Sequence, residues 1–82
     1  MRSTESAALH VLRVIEDEGI KGAALLTVEV PPKVATYLLN QKRAALSDLE
    51  RRFGLIVTIL PDAALIPPAH RMTREEIGRA HV

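Results

Sequence analysis

Two adjacent prolines, Pro31-Pro32, stand where the hydrophobic period of the chain changes, and that junction constrains the fold more than any other feature. Ahead of them, Ala23-Ala24-Leu25-Leu26-Thr27-Val28-Glu29-Val30 alternates, with Leu26, Val28 and Val30 on one face and Leu25, Thr27 and Glu29 on the other. This is a strand over 23–30 with one wet face, and it ends at the prolines because neither can donate to a ladder. Pro32 suits the first turn of a helix, where its missing N–H has no intrahelical partner to lose. Beyond it, at about 100° per residue, Val34, Ala35, Leu38, Ala45, Leu46, Leu49 and Phe53 gather on one side, with Leu39 at the edge. Lys33, Asn40, Arg43, Ser47 and Arg51 fall opposite. The spacing predicts one long helix over 32–53, stopped by Gly54.

The flanks fill in the rest. Ala8, Val11, Leu12 and Ile15 recur at helical spacing, so residues 3–18 read as a first helix, capped by Ser3 or Thr4 and ended by Gly19. Its last turn carries Glu16-Asp17-Glu18 at the negative end of the helix dipole, an unfavourable placement that calls for a basic neighbour from elsewhere in the fold. Residues 55–60 form a second strand, apolar on both faces, which fits a central strand or one covered on its second face. Pro61-Asp62 makes a turn, 65–68 is apolar but proline-broken, and a short third edge strand around His70, Arg71 and Met72 is weakly signalled. The reading is an α+β two-layer domain: helix, strand, long helix, strand, and a candidate third edge strand, with the helices on one face of a small sheet. If the two main strands are neighbours, they run parallel through a crossover helix; if a third lies between them, the sheet is mixed. The domain spans 1–72, and 73–82 reads as linker or frayed tail.

With 82 residues the chain holds one domain at most, and one of that size buries only about 60–65% of its unfolded surface. With one Tyr, one Phe and no Trp, the core is built from Leu, Ile, Val and Ala. The absence of cysteine excludes disulfides and thiolate metal sites and fits a cytoplasmic protein. No apolar run reaches the roughly 20 residues of a membrane span. Eleven basic residues against ten acidic leave a net charge of +1, which does not advertise nucleic-acid binding.

No constellation for chemistry emerges. The carboxylates are scattered over different elements, and His10, His70 and His81 belong to no two-histidine helical motif, so no catalytic and no metal residue is expected. Lys42 projects within about 40° of the centre of the long helix's apolar face. It either snorkels, with its stem on the core and its ammonium at the rim, or is a partnered lysine that fixes a subunit contact or meets a phosphate. Lys33, Arg43 and Arg51 form a basic stripe, a solvated face or a contact for an RNA backbone. Ile56 and Leu60, on the second apolar face of the later strand, join Lys42 as the candidate subunit interface.

Three stretches carry a resemblance: Arg2-Ser3-Thr4-Glu5-Ser6-Ala7-Ala8-Leu9, Pro32 through Arg43 with its VATYLLNQKR, and Leu65-Ile66-Pro67-Pro68. Together they resemble the small domain at the C-terminal end of the catalytic half of bacterial ribonuclease E/G family endoribonucleases, across roughly residues 2–68. The resemblance implies a place just after the family's zinc-link, with its paired cysteines. It also implies that the S1 domain, the 5′-monophosphate sensor and the magnesium-binding aspartates lie upstream. Magnesium and zinc are therefore expected only in other parts of a parent enzyme, and no cofactor is expected in this chain. The implied role is non-catalytic: assembly and scaffolding of an endoribonuclease, a cytoplasmic hydrolase of RNA processing and decay. Self-association as a dimer or higher is expected, with RNA met through the parent enzyme. The alternative is an independent RNA-binding module using the basic face of the long helix. After Pro68, relatives continue with an alternating segment, where this chain reads Ala69-His70-Arg71-Met72-Thr73-Arg74-Glu75-Glu76.

Overall fold

A computed structural model describes residues 4–66 and 69–75, and its elements follow the two hydrophobic periods. They run α1 (Thr4–Ile20), β1 (Leu25–Val30), α2 (Pro32–Gln41), α3 (Arg43–Phe53), β2 (Ile56–Pro61) and β3 (Arg71–Glu75). The fold is α+β: three helices and a small mixed sheet. The strand order is β2-β1-β3, with β2 parallel and β3 antiparallel to β1. The two main strands are thus neighbours, as the first topological alternative requires. The sheet is mixed nonetheless, because β3 adds to the far side of β1 instead of inserting between them.

The core lies between the helices and one face of the sheet. Leu26, Val28 and Val30 of β1 are fully buried there, with Ile15 and Val11 of α1 and Val34 and Leu38 of α2. Each such side chain removed from water contributes about 1.5–3 kcal/mol, so β1, buried along one whole face, anchors the fold. Pro31 accepts the first bond of α2 from the Ala35 N–H (2.9 Å), and Pro32 takes the first helical position as its fixed φ allows.

Several sequence expectations are corrected. The helix predicted over 32–53 is two helices broken at Lys42, whose φ is −120° and ψ 22°. No glycine or proline announces the break. A straight helix would carry Lys42 into the middle of the apolar stripe, with no counter-charge among the described residues; at the junction the residue is only half-buried. Hydrogen bonding still passes through it, from the Lys42 N–H to the Leu38 carbonyl and from the Leu46 N–H to the Lys42 carbonyl. The predicted faces survive the break: Val34, Ala35, Leu38, Leu46 and Leu49 are buried, and Lys33, Asn40, Arg43, Ser47 and Arg51 are exposed.

Gly19 does not end α1. The helix continues to Ile20 and closes on Gly22, at φ 98°, where the Gly22 N–H bonds the Gly19 carbonyl and the Ala23 N–H bonds the Glu18 carbonyl. Those are the two bonds of a Schellman stop. Gly19 is a contact glycine, since a Cβ there would stand 2.6 Å from Phe53 Cδ2 and 3.0 Å from Leu55 Cδ2. Gly54 ends α3 as predicted, in the left-handed region at φ 66°.

The third strand forms, from Arg71 through Glu75. Thr73, Arg74 and Glu75, read from sequence as the start of the tail, belong to its ladder with β1. The remainder of that tail, 76–82, lies outside the described residues, as do Ser3 and the prolines of the 65–68 segment. β2 is not central, and among the described residues its outer face is not covered. It is an edge strand, and Ile66, part of the segment that could have lain over it, is itself 76% exposed.

Candidate functional site

The three helices of the described residues pack on one face of the sheet, and none of these residues forms a layer over the opposite, open face. Cross-strand register gives its composition in three rows: Ile56–Leu25–Glu75, Thr58–Thr27–Thr73 and Leu60–Glu29–Arg71. The face is therefore graded. Its β2 side is apolar, its middle row is threonine, and its β3 side is charged. Ile56 and Leu60, 60% and 40% exposed, stand on the apolar side about 13 Å apart along the strand. On the charged side, the Arg71 guanidinium donates to Glu29 at 2.9 Å and to Asp62 at 3.3 Å. The hydrogen bond that Arg71 donates to Glu29, then the charges of Glu29 and Asp62, raise the Arg71 pKa above its ordinary value.

The free edge of β2 is a different matter. The Ile56 N–H bonds the Ala24 carbonyl and the Asp62 N–H bonds the Val30 carbonyl, so even-numbered amides face β1 and odd-numbered ones face outward. Of these outward groups, the Val57 N–H is taken by Glu50 Oε2 of α3 at 2.8 Å, and Pro61 has no N–H. Only the Ile59 N–H remains as a donor, too few for another strand to build a ladder. The open face, rather than the edge, is what this sheet offers to a partner.

The sequence-derived interface set is divided by the structure. Ile56 and Leu60 share the open face, whereas Lys42 sits at the α2–α3 junction in the helical layer on the other side of the sheet. The basic residues are dispersed as well. Lys33 lies in the first turn of α2, Arg43 opens α3, and Arg51 sits in the last turn of α3. Arg51 is paired with Asp48 at 3.3 Å, and Asp48 also holds Arg52 at 2.8 Å, so a carboxylate interrupts the stripe. Lys33 and Arg43 are exposed and have no ion-pair partner among the described residues.

The acidic end of α1 receives the bases it called for. Arg52 of α3 reaches Glu16 at 3.3 Å, Arg74 of β3 reaches Glu18 at 2.7 Å, and Lys21 stands 3.9 Å from Glu18. Sequence reasoning placed Leu25 on the wet face of its strand but did not join it to Ile56 and Leu60, beside which the register now sets it. It also missed the Glu50 cap on Val57, which has no local signature. Among the described residues no group of three or more histidines and carboxylates could hold a metal ion, and no helix is long and apolar enough to cross a membrane.

Comparison with known proteins identifies a family. The family model described as RNase E/G, thioredoxin-like domain, matches residues 1–75. Ribonuclease E of Haemophilus influenzae is 36% identical over 79 residues, covering 95% of this chain and 8% of that protein. Ribonuclease E of Escherichia coli is 35% identical over 80 residues, with the same coverage of 95% and 8%. Ribonuclease E of Buchnera aphidicola subsp. Acyrthosiphon pisum is 36% identical over 76 residues, covering 90% of the chain and 8% of the relative. The chain thus spans less than a tenth of the length of these relatives. With no cysteine in its sequence, it has no dithiol with which a thioredoxin-like domain could exchange disulfides.

Proposed function

The chain belongs to the RNase E/G family through its thioredoxin-like domain, and on that premise we propose that it is the non-catalytic small domain that follows the zinc-link of such an endoribonuclease. Its work is assembly: it holds the catalytic half of a cytoplasmic, single-strand-cleaving enzyme of RNA processing and decay in its oligomeric form. Metal-dependent cleavage belongs to other parts of that enzyme. One observation carries the assembly reading. The open face keeps Ile56 and Leu60 in water on a strand whose edge is already capped. Burying each of the two is worth about 1.5–3 kcal/mol. A two-fold contact, placing Ile56 and Leu60 against their own copies, is the simplest closed geometry.

Sedimentation over increasing concentration tests this. The wild-type chain should associate weakly, and Ile56→Asp should return it to monomer without unfolding it. A wild-type chain that stays monomeric at high micromolar concentration, unchanged by Ile56→Asp, would overturn the reading for the isolated domain.

Lys33 and Arg43, exposed and without an ion-pair partner among the described residues, support a second reading, an RNA-binding module. At net charge +1 its affinity should be weak and should collapse with added salt. Sub-micromolar RNA binding at physiological salt, lost in Arg43→Glu, would raise this reading above the first.

A further inference from the structure

His10 lies on the exposed side of α1, and His70 lies half-buried in the segment that enters β3. Their spacing in sequence carries no metal signature, yet the fold brings the rings together, with centroids 5.7 Å apart and planes inclined at 59°. An inclined pair can turn one nitrogen of each ring toward a common point, which face-to-face stacked rings cannot do. Imidazole nitrogens bind zinc at about 2.0–2.1 Å, which puts each ring centre about 3.2 Å from the ion and, at a tetrahedral bite, the two centroids about 5.2 Å apart. The observed pair is about half an ångström wider, a gap that side-chain rotation of the exposed His10 can close.

The scaffold holds the two rings in place independently. Arg74 bonds Glu18 at 2.7 Å, a second tie between the same two elements. From His10 to Glu18 the helix rises about 12 Å, and from His70 to Arg74 the strand rises about 13 Å. The near-equality means that α1 and β3 run in the same direction, with the histidine pair at one end and the ion pair at the other. Met72, between the two ties along β3, packs on the core. Of the cations nearest in sequence, Arg71 is held on the outer face by Glu29 and Asp62, and Arg13 stands one turn further along α1.

We infer that His10 and His70 form a two-histidine site for a borderline divalent cation, zinc, nickel or copper(II), which fastens the start of β3 to α1. Two neutral imidazoles supply the lone pairs, and water completes the shell. Magnesium, which demands oxygen ligands, is excluded by the donor set. The site goes beyond the assembly reading and does not depend on it.

Thermal unfolding of the 82-residue chain in zinc or nickel chloride, against EDTA and against magnesium chloride, tests the site. The expected result is a rise in Tm that grows with the logarithm of free zinc or nickel and none with magnesium, reaching about 4–8 °C once the free ion is some five times its Kd. His10→Gln and His70→Gln should each lose the rise, while His81→Gln keeps it. In the wild-type protein, the imidazole NMR signals of His10 and His70 should move together on adding zinc. No rise at millimolar metal, a rise retained in His10→Gln or His70→Gln, an equal rise with magnesium, or imidazole signals of the pair unmoved by zinc would each overturn the proposal.

Discussion

On the inner side of the sheet, Leu26, Val28 and Val30 are fully buried, while on the outer side Ile56 and Leu60 keep 60% and 40% of their surface in water. By residue type the two sets are interchangeable. The difference comes from layer count, because three helices cover one face and none of the described segments covers the other. Aliphatic side chains therefore serve two purposes here. Inside they supply cohesion, and outside they supply a surface whose energy is collected only when a partner arrives. The outer face also grades from apolar at β2 to ion-paired at β3, so its stickiness is confined to one side.

The largest effect that would test this contrast is in the inner row. Leu26→Ala should cost about 2–5 kcal/mol by loss of transfer energy and creation of a cavity, a large share of a small domain's stability. Ile56→Ala, the same kind of truncation on the outer face, should stay within about 0.5 kcal/mol. Urea unfolding of both variants measures the gap, and equal losses would mean that the outer face is covered within the chain.

Next comes the glycine that lets α1 approach α3. Alanine is the better helix former by about 1 kcal/mol, yet Gly19→Ala should still destabilise by about 1 kcal/mol net, because overpacking against Phe53 costs more. Phe53→Leu should relieve that loss in the double variant. Gly22→Ala should also destabilise, through its φ of 98°, but Phe53→Leu should not rescue it. Thermal unfolding of the three single variants and the two doubles separates close approach from backbone strain.

The smallest effect sharpens the distinction between the open face and the capped edge. Glu50→Ala frees the Val57 N–H and should cost about 1 kcal/mol, while adding a second donor to the edge of β2. Association of Glu50→Ala should then become less sensitive to Ile56→Asp than that of the wild type, as read by sedimentation of the single and double variants. If Ile56→Asp alone still abolishes it, the face remains the sole contact.

Much of this was legible in the chain before any coordinates. The alternation of 25–30 and the stripe of Val34, Leu38, Leu46 and Leu49 mark which residues are buried, because a strand or helix has one fixed period and neighbours on a face are near in sequence. Pro32 at the start of α2, Gly54 at the end of α3 and the unfavourable Glu16-Asp17-Glu18 run act the same way, through rules that reach only a turn or two. Family membership was equally accessible, since Pro32 through Arg43 and the opening Arg2 to Leu9 carry it by residue identity.

Only the tertiary structure decided where those faces go. That β2 is an edge strand follows from β3 choosing the far side of β1. Gly19 is a contact because Phe53 arrives from α3, and the stop falls to Gly22. Lys42 breaks a helix whose local sequence would continue, because a straight rod would sink its charge in the core. The pairings of Arg52 with Glu16, Arg74 with Glu18 and His10 with His70 join residues far apart along the chain. Periodicity records which side chains share a face; which face is covered, and by what charge or ring it is met, is set by packing between distant segments.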